Sequence, residues 1–166
     1  HWWELRACDY YDEFEKPKIM LPDISISGNF MLDKTGGIYS ANTTYIVCSV
    51  DKYLLGLLNS LLMGFYYRNL TAVFRGGYLR FFTQYLIQLP IRTIDFSDTA
   101  DAARHDRMVS LVEQMLALHE QLIEARTPHE QTGLLRQIEA TDGQIDALVY
   151  ELYELTEEEI WIVEGT

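Results

Sequence analysis

The rhythm of apolar and polar positions changes along the 166-residue chain and divides it in two. In the first half the apolar residues come in short runs. Residues 18–26 alternate imperfectly around Pro22, which predicts an edge or opening strand. Residues 30–32 and 38–40 flank Asp33-Lys34-Thr35-Gly36-Gly37, whose glycines supply positive φ, so the stretch reads as a hairpin with a short loop. Residues 43–50 are rich in β-branched side chains and predict a third strand. Ahead of these, residues 2–15 are aromatic and acidic and read as a strand followed by a helical turn at 9–15.

A helical period then takes over. Asp51 stands as an N-cap for residues 52–67, where Leu54, Leu57, Leu58, Leu61, Leu62 and Phe65 recur at helical spacing and Asn59 lies on the more polar side. Arg75-Gly76-Gly77 marks a sharp loop. Residues 78–82 look extended, Thr83 stands where it would cap one helical turn, and residues 88–93 return as a strand containing Pro90. This half reads as a small α+β unit with mixed strands.

After Ile94 the pattern becomes that of paired helices. Residues 95–106 form an acidic connector. Met108, Leu111, Met115, Leu118, Leu122 and Ala125 then step by three and four, and Leu134, Ile138, Thr141, Ile145, Leu148, Leu152 and Leu155 resume the same rhythm, an a/d seam on two consecutive helices. Between them, Thr127 as N-cap, Pro128 at the first helical position and Glu130 complete a capping box. So short a joint predicts an antiparallel, coiled-coil-like hairpin. The second helix would span roughly 42 Å over residues 128–155, with Gly143 as its weak point. Thr156 and Glu159 form a second capping box, ahead of a short terminal helix. The expected organisation is a mixed-strand α+β domain over 1–94 and an acidic helical hairpin over 95–166.

Charge reinforces that division. The net charge of −12 argues at first against a polyanionic partner. Residues 1–93, however, carry nine bases against eight acids, and residues 16–93 carry eight against three. Residues 94–166 hold four bases and seventeen acids, a net −13. The asymmetry suggests one part facing a polyanion and one facing protein or solvent.

Several chemistries are excluded. No apolar run reaches the ~18 residues of a membrane helix. Cys8 and Cys48 lack metal-ligand spacing, and Cys48, within Tyr45-Ile46-Val47-Cys48, reads as a small buried hydrophobe in a reducing, cytoplasmic setting. His1, His105, His119 and His129 have no companion ligands, so no metal site is expected. An Asn-Pro-Pro-Tyr methyltransferase motif, a glycine-rich cofactor loop and a phosphate-binding lysine loop are all missing. A metal-dependent nuclease needs an acid followed by Asp/Glu-x-Lys. Pro22-Asp23 has the look of the first element, but Leu32-Asp33-Lys34 puts Leu where the second acid belongs. The carboxylates read as the solvated face of a helical hairpin, and no catalytic residue is assigned. The chain opens on His1-Trp2-Trp3 and reads as a piece of a longer polypeptide.

Four stretches in order carry a family resemblance: Phe14-Glu15-Lys16-Pro17-Lys18-Ile19; Tyr53-Leu54-Leu55-Gly56-Leu57-Leu58-Asn59-Ser60; Arg75-Gly76-Gly77-Tyr78 running to Gln88-Leu89-Pro90-Ile91; and residues 106–115, with Gln144-Ile145-Asp146 and Val149-Tyr150-Glu151-Leu152-Tyr153 downstream. Together they resemble the TaqI-like C-terminal specificity domain of type IIG restriction–modification enzymes and adenine-specific DNA methyltransferases. The resemblance implies a target-recognition domain that binds double-stranded DNA and is not an enzyme by itself. It also implies that S-adenosylmethionine, and Mg²⁺ where the parent cleaves, belong to upstream domains of the same polypeptide.

On that reading, Lys16, Lys18, Lys52, Arg68 and Arg75 are candidates for phosphate contacts. Arg80, Gln84 and loop residue Lys34 are candidates for base edges. Gly76 and Gly77, with Gly36 and Gly37, would let backbone approach DNA closely. Plainer readings stand beside these. Arg75-Gly76-Gly77 is equally a tight turn, Lys16-Pro17-Lys18 equally the solvated start of a strand, and Tyr78, Phe81 and Phe82 are more often core than stacking surface. A different class of function is a protein-interaction or dimerisation module built on the hairpin, with no DNA contact.

Overall fold

The computed structural model describes residues 10–40 and 43–165. The strand expected near residue 2, and Cys8, lie outside these. The fold is mixed α+β, with two small antiparallel sheets and six α-helices among the described residues. After a 3-10 turn at Tyr11–Glu15, the chain enters β1 (Lys18–Pro22), which is the centre of a sheet ordered β3-β1-β4 and not its edge. Its neighbours are β3 (Met31–Asp33) and β4 (Thr44–Val47), paired through Met20↔Met31 and Met20↔Ile46. A central strand covered on both faces buries consecutive residues, and Lys18, Ile19, Met20 and Leu21 are all buried. That is why residues 18–26 alternate so poorly. The strand stops at Asp23, and β2 (Ile24–Ser25) joins a second sheet with β5 (Leu79–Arg80).

The hairpin expected across residues 30–40 does not form. β3 pairs with β1, and residues 38–40 carry no strand. The Asp33 carboxylate accounts for this. It accepts hydrogen bonds from the backbone N–H groups of Thr35, Gly36 and Ile38, which folds the loop around one side chain. Gly36 sits at φ 74°, with a Cβ there falling 2.1 Å from the Glu15 carbonyl oxygen. Cys48 is exposed, contrary to its apolar neighbourhood, because β4 is an edge strand that ends at Val47.

The helix expected over 52–67 is two helices, α1 (Lys52–Asn59) and α2 (Leu61–Leu70). Asp51 caps the first, accepting from Tyr53 and Leu54 N–H. At the break, the Ser60 hydroxyl donates to the Leu57 carbonyl at 2.7 Å and accepts from Met63 N–H. Asp146, on a later helix, accepts from Leu61 N–H at 2.8 Å. Asn59 grips the backbone of Phe30 from both sides, accepting from its N–H at 2.9 Å and donating to its carbonyl at 3.0 Å.

After β5 comes one helical turn, α3 (Thr83–Leu86), with Phe82 and not Thr83 in the cap position. Residues 88–93 form no strand. They are strapped down by two tyrosines, Tyr53 of α1 and Tyr153 just past the end of a later helix. Tyr53 donates to the Arg92 carbonyl, and Tyr153 donates to Pro90 and accepts from Arg92 N–H.

The acidic connector is mostly helix. α4 (Thr99–Glu124) starts where Asp98 accepts from Ala100 N–H. Asp101 is buried, bonded to Arg92, Arg104 and the N–H of Asp95. Local partners thus absorb charge that in the sequence looks like a solvated run. α5 (Pro128–Leu152) carries the expected capping box and continues unbroken through Gly143, which has open space around it. It ends three residues before Leu155, where Glu154 turns to φ 55° and Leu155 N–H reaches back to the Tyr150 carbonyl. α6 (Glu157–Glu164) follows its own capping box.

One hydrophobic cluster runs through all of this. It joins Ile19 and Leu21 of β1 and Leu57 of α1 to Met108 and Val112 of α4 and Ile145, Leu148 and Leu152 of α5. Gly56 makes the central contact possible. A Cβ there would stand 2.6 Å from Met108 Sδ and 2.9 Å from Val112 Cγ2, so only glycine lets α1 lie this close to α4.

Candidate nucleic-acid interface

The eight polar candidates and the Gly76–Gly77 pair fall into two groups at opposite ends of β1, while Gly36 and Gly37 lie in the loop gathered around Asp33. Lys16, Lys18, Lys34 and Lys52 belong to the first, and each has an acidic partner. Lys16 pairs with Glu13 at 2.5 Å, Lys34 with Glu120 at 2.6 Å, and Lys52 with Glu113. The last two partners lie on α4, so the acidic hairpin answers lysines of the α+β unit. Lys18 differs in kind. It is fully buried, with Nζ bonded to Asp33 at 2.7 Å and to the carbonyls of Phe14 and Lys16. No donor of Lys18 reaches the surface, and its position at the head of a central strand is the reason.

Arg68, Arg75, Gly76, Gly77, Arg80 and Gln84 form the second group, around the β2–β5 sheet. Arg68, in the last turn of α2, reaches the Ile26 carbonyl just beyond β2. Between α2 and β5 the chain makes a tight loop. Phe74 N–H donates to the Tyr78 carbonyl at 2.8 Å and Gly77 N–H to the Phe74 carbonyl at 3.0 Å. Gly76 and Gly77 hold φ of 88° and 83°, a conformation other residues adopt only with strain. Arg75 stands exposed at this tip, and among the described residues it has no ion pair.

Arg80 is held by its neighbours, with its side chain still 36% exposed. It donates to Asp23 at 2.9 Å, and its guanidinium lies 4.4 Å above the Phe82 ring. Gln84 is exposed on α3, and its side chain has no hydrogen bond among the described residues. Beneath, Tyr67 stacks on Phe81 with ring centroids 4.5 Å apart and donates to the Arg80 carbonyl at 2.7 Å. Burial pushes the Tyr67 hydroxyl up to about 12, so it stays a donor across the whole neutral range. This stacked pair supports the sheet from below, worth about 1 kcal/mol beyond its burial.

The surrounding surface is apolar to a degree that sequence reasoning missed. Phe74 is 50% exposed, Tyr78 44%, Ile24 53% and Ile26 54%. Of the three aromatics read as core, Phe81 is buried and Phe82 half-buried, while Tyr78 is exposed. Alternation cannot reveal this, because β2 and β5 are two residues long. The detectable signal was the flanking Phe74-Arg75-Gly76-Gly77-Tyr78, where a glycine pair turns the chain between two exposed aromatics. The arrangement is one exposed arginine between two exposed aromatics on a glycine-turned tip.

Residues 2–91 match the TaqI-like C-terminal specificity domain. The chain belongs to that family. The specificity domain is a recognition part of restriction–modification enzymes and not their catalytic part. The match ends at Ile91, within the strap that joins α3 to α4. It therefore includes both lysine and arginine groups, while the similarities at residues 106–115 and 144–153 lie beyond it. No curated protein matches the chain. Among the described residues, no three His, Cys, Asp or Glu side chains gather as a metal site, and no helix is long and apolar enough to cross a membrane. Within the specificity domain, the Leu-Leu-Gly-Leu-Leu-Asn-Ser stretch has a structural explanation. Gly56 sets the distance from α1 to α4, Asn59 holds Phe30, and Ser60 ends one helix and starts the next.

Proposed function

We propose that residues 1–94 read a DNA target site for a type II restriction–modification enzyme, and that residues 95–166 support that reader. Adenine methylation, cleavage or both belong on this reading to upstream domains of the same polypeptide, along with S-adenosylmethionine and any Mg²⁺. The setting would be cytoplasmic, and the partner double-stranded DNA. The observation that carries the reading is the exposed Arg75, free of ion pairs among the described residues, on a tip that also presents Phe74 and Tyr78. Phosphate contacts are assigned to Arg75 and Arg68, and a base-edge contact to Gln84. Gly76 and Gly77 give the backbone close approach. Arg80 is assigned a positioning role, since Asp23 and Phe82 hold its guanidinium. Lys16, Lys34 and Lys52 contribute little, because acidic partners already neutralise them and screen their field.

The test is a fluorescence-anisotropy titration of the intact enzyme with its duplex across a range of salt. Each phosphate contact contributes about 0.9 to the slope of log affinity against log salt. Arg68→Ala with Arg75→Ala should lower affinity at least about tenfold and flatten that slope by nearly two. Lys34→Ala with Lys52→Ala should change neither. Unchanged affinity in the arginine variant would sink the assignment.

A further inference from the structure

Residues 52–94 hold Lys52, Arg68, Arg75, Arg80 and Arg92 and no acidic residue, in a chain with 25 acids. The fold brings acids to three of these from elsewhere: Glu113 to Lys52, Asp23 to Arg80 and Asp101 to Arg92. Arg68 and Arg75 have no ion pair among the described residues. Positive charge is therefore left uncompensated around the β2–β5 sheet, where it attracts a polyanion.

Apolar surface stands beside that charge. Tyr78 is 44% exposed and Phe74 50%, on either side of Arg75 in the loop. The backbone holds both in place. Phe74 N–H bonds the Tyr78 carbonyl and Gly77 N–H bonds the Phe74 carbonyl, so Gly77 and Tyr78 together oppose Phe74. That is a bulge whose first residue is a glycine at positive φ, and bulges re-aim the side chain beside them. Gly76 keeps the Tyr78 ring bare. A Cβ there would lie 3.4 Å from both Cδ2 and Cε2 and cover that edge. More than half of Tyr78 is anchored, and a ring with two side-chain torsions loses little entropy when its free part is covered.

Phosphate answers Arg75, but it offers the neighbouring ring no apolar cover. Base planes do, and in a duplex they cover one another, so a ring reaches them only by parting a step.

We propose that Tyr78 enters one base step of the bound duplex as a wedge, while Arg75 holds a phosphate beside it. The assignment rests on the DNA-reading role proposed above and gives it a source of selectivity. Pyrimidine–purine steps such as TA and CA unstack most readily, so the wedge favours a site with such a step at that position.

The test uses the intact enzyme on a duplex carrying its own site, followed by fluorescence anisotropy and by permanganate, which oxidises unstacked thymines. With wild type bound at saturation, a thymine of one pyrimidine–purine step should become reactive. Tyr78→Ala should abolish that reactivity at saturation. It should also bind about tenfold more weakly at every salt concentration, with the slope of log affinity against log salt unchanged, because stacking releases no counterions. Tyr78→Phe keeps the ring and should match wild type in both respects. Circular dichroism should show both variants folded.

A reactive thymine that persists in Tyr78→Ala, or none in wild type, would overturn the wedge. So would loss of binding in Tyr78→Phe. If Arg68→Ala with Arg75→Ala weakens binding and Tyr78→Ala does not, the wedge fails while DNA recognition stands. If neither weakens it, both fail. Self-association of the chain without DNA, lost on Tyr78→Ala in sedimentation equilibrium, would assign the ring to a protein partner and also overturn the proposal.

Discussion

Lys18 and Asp33 form an ion pair at 2.7 Å with both side chains withdrawn from solvent, 0% and 2% exposed. Its surroundings satisfy almost every remaining donor and acceptor. Lys18 also bonds two carbonyls, and Asp33 gathers three backbone N–H groups. A buried pair of this kind is costly to break from one side, because the survivor is left charged and unpaired. Lys18→Met should lower the thermal midpoint by about 10 °C, read by calorimetry. The Lys18 ammonium, helped by the loop N–H groups of Ile38, Thr35 and Gly36 against the opposing effect of burial, holds the Asp33 carboxyl well below the usual carboxylate range. The stability it contributes is therefore full above pH ~4, the ordinary carboxylate value, and is lost as pH falls below that. Asp33→Asn should remove that acid-side slope.

Asp146 shows the opposite sign. It lies 9% exposed on α5, and burial pushes its carboxyl up to about 6, against the pull of Leu61 N–H. The folded state thus prefers the protonated form. Its contribution to stability is present below pH ~4 and lost as pH rises from there through about 6. Asparagine keeps an oxygen to accept from Leu61 N–H without the charge. Asp146→Asn should raise stability at pH 7 by up to about 3 kcal/mol, and should flatten urea midpoints measured between pH 4 and 7.

Two glycines in helices should respond in opposite ways to the same substitution. Gly143 has nothing within 4 Å of a new Cβ, so Gly143→Ala should stabilise α5 by about 1 kcal/mol, the propensity difference alone. Gly56→Ala gains the same propensity but drives its Cβ to 2.6 Å from Met108 Sδ. Overpacking of about 1–3 kcal/mol should leave it destabilised. Denaturant midpoints of the two variants moving in the same direction would contradict the α1–α4 packing described above.

Asn59 holds both backbone groups of Phe30, which places the segment leading into β3. Asn59→Ala strands a donor and an acceptor together and should cost about 2 kcal/mol. Asn59→Asp keeps the acceptor and loses the donor, so it should not restore wild-type stability. Chemical denaturation of the pair distinguishes a gripping amide from a merely polar helix face.

The helical half was legible in the sequence to a fine grain. Both capping boxes, the proline joint and the seam from Met108 to Leu152 are local or periodic signals, and helices obey them because their hydrogen bonds close within a few residues. The break at Ser60 was less visible, since it depends on Asp146 from a helix some eighty residues away. The acidic connector misled for a similar reason. Asp101 looks like one more solvated acid until Arg92 and Arg104 fold onto it.

The candidate interface divides along the same line. The sequence alone determined that an arginine and a glycine pair coincide at 75–77, that acids crowd the second half, and that residues 2–91 carry a specificity-domain pattern. Which cations remain available was decided only by the tertiary structure. Lys18 vanished into a central strand, Lys34 and Lys52 met glutamates of α4, and Arg80 turned to Asp23. Charge and turn propensity are written residue by residue. Pairing between distant residues depends on strand order and helix approach, here set by β1 lying at the sheet's centre and by the missing Cβ of Gly56.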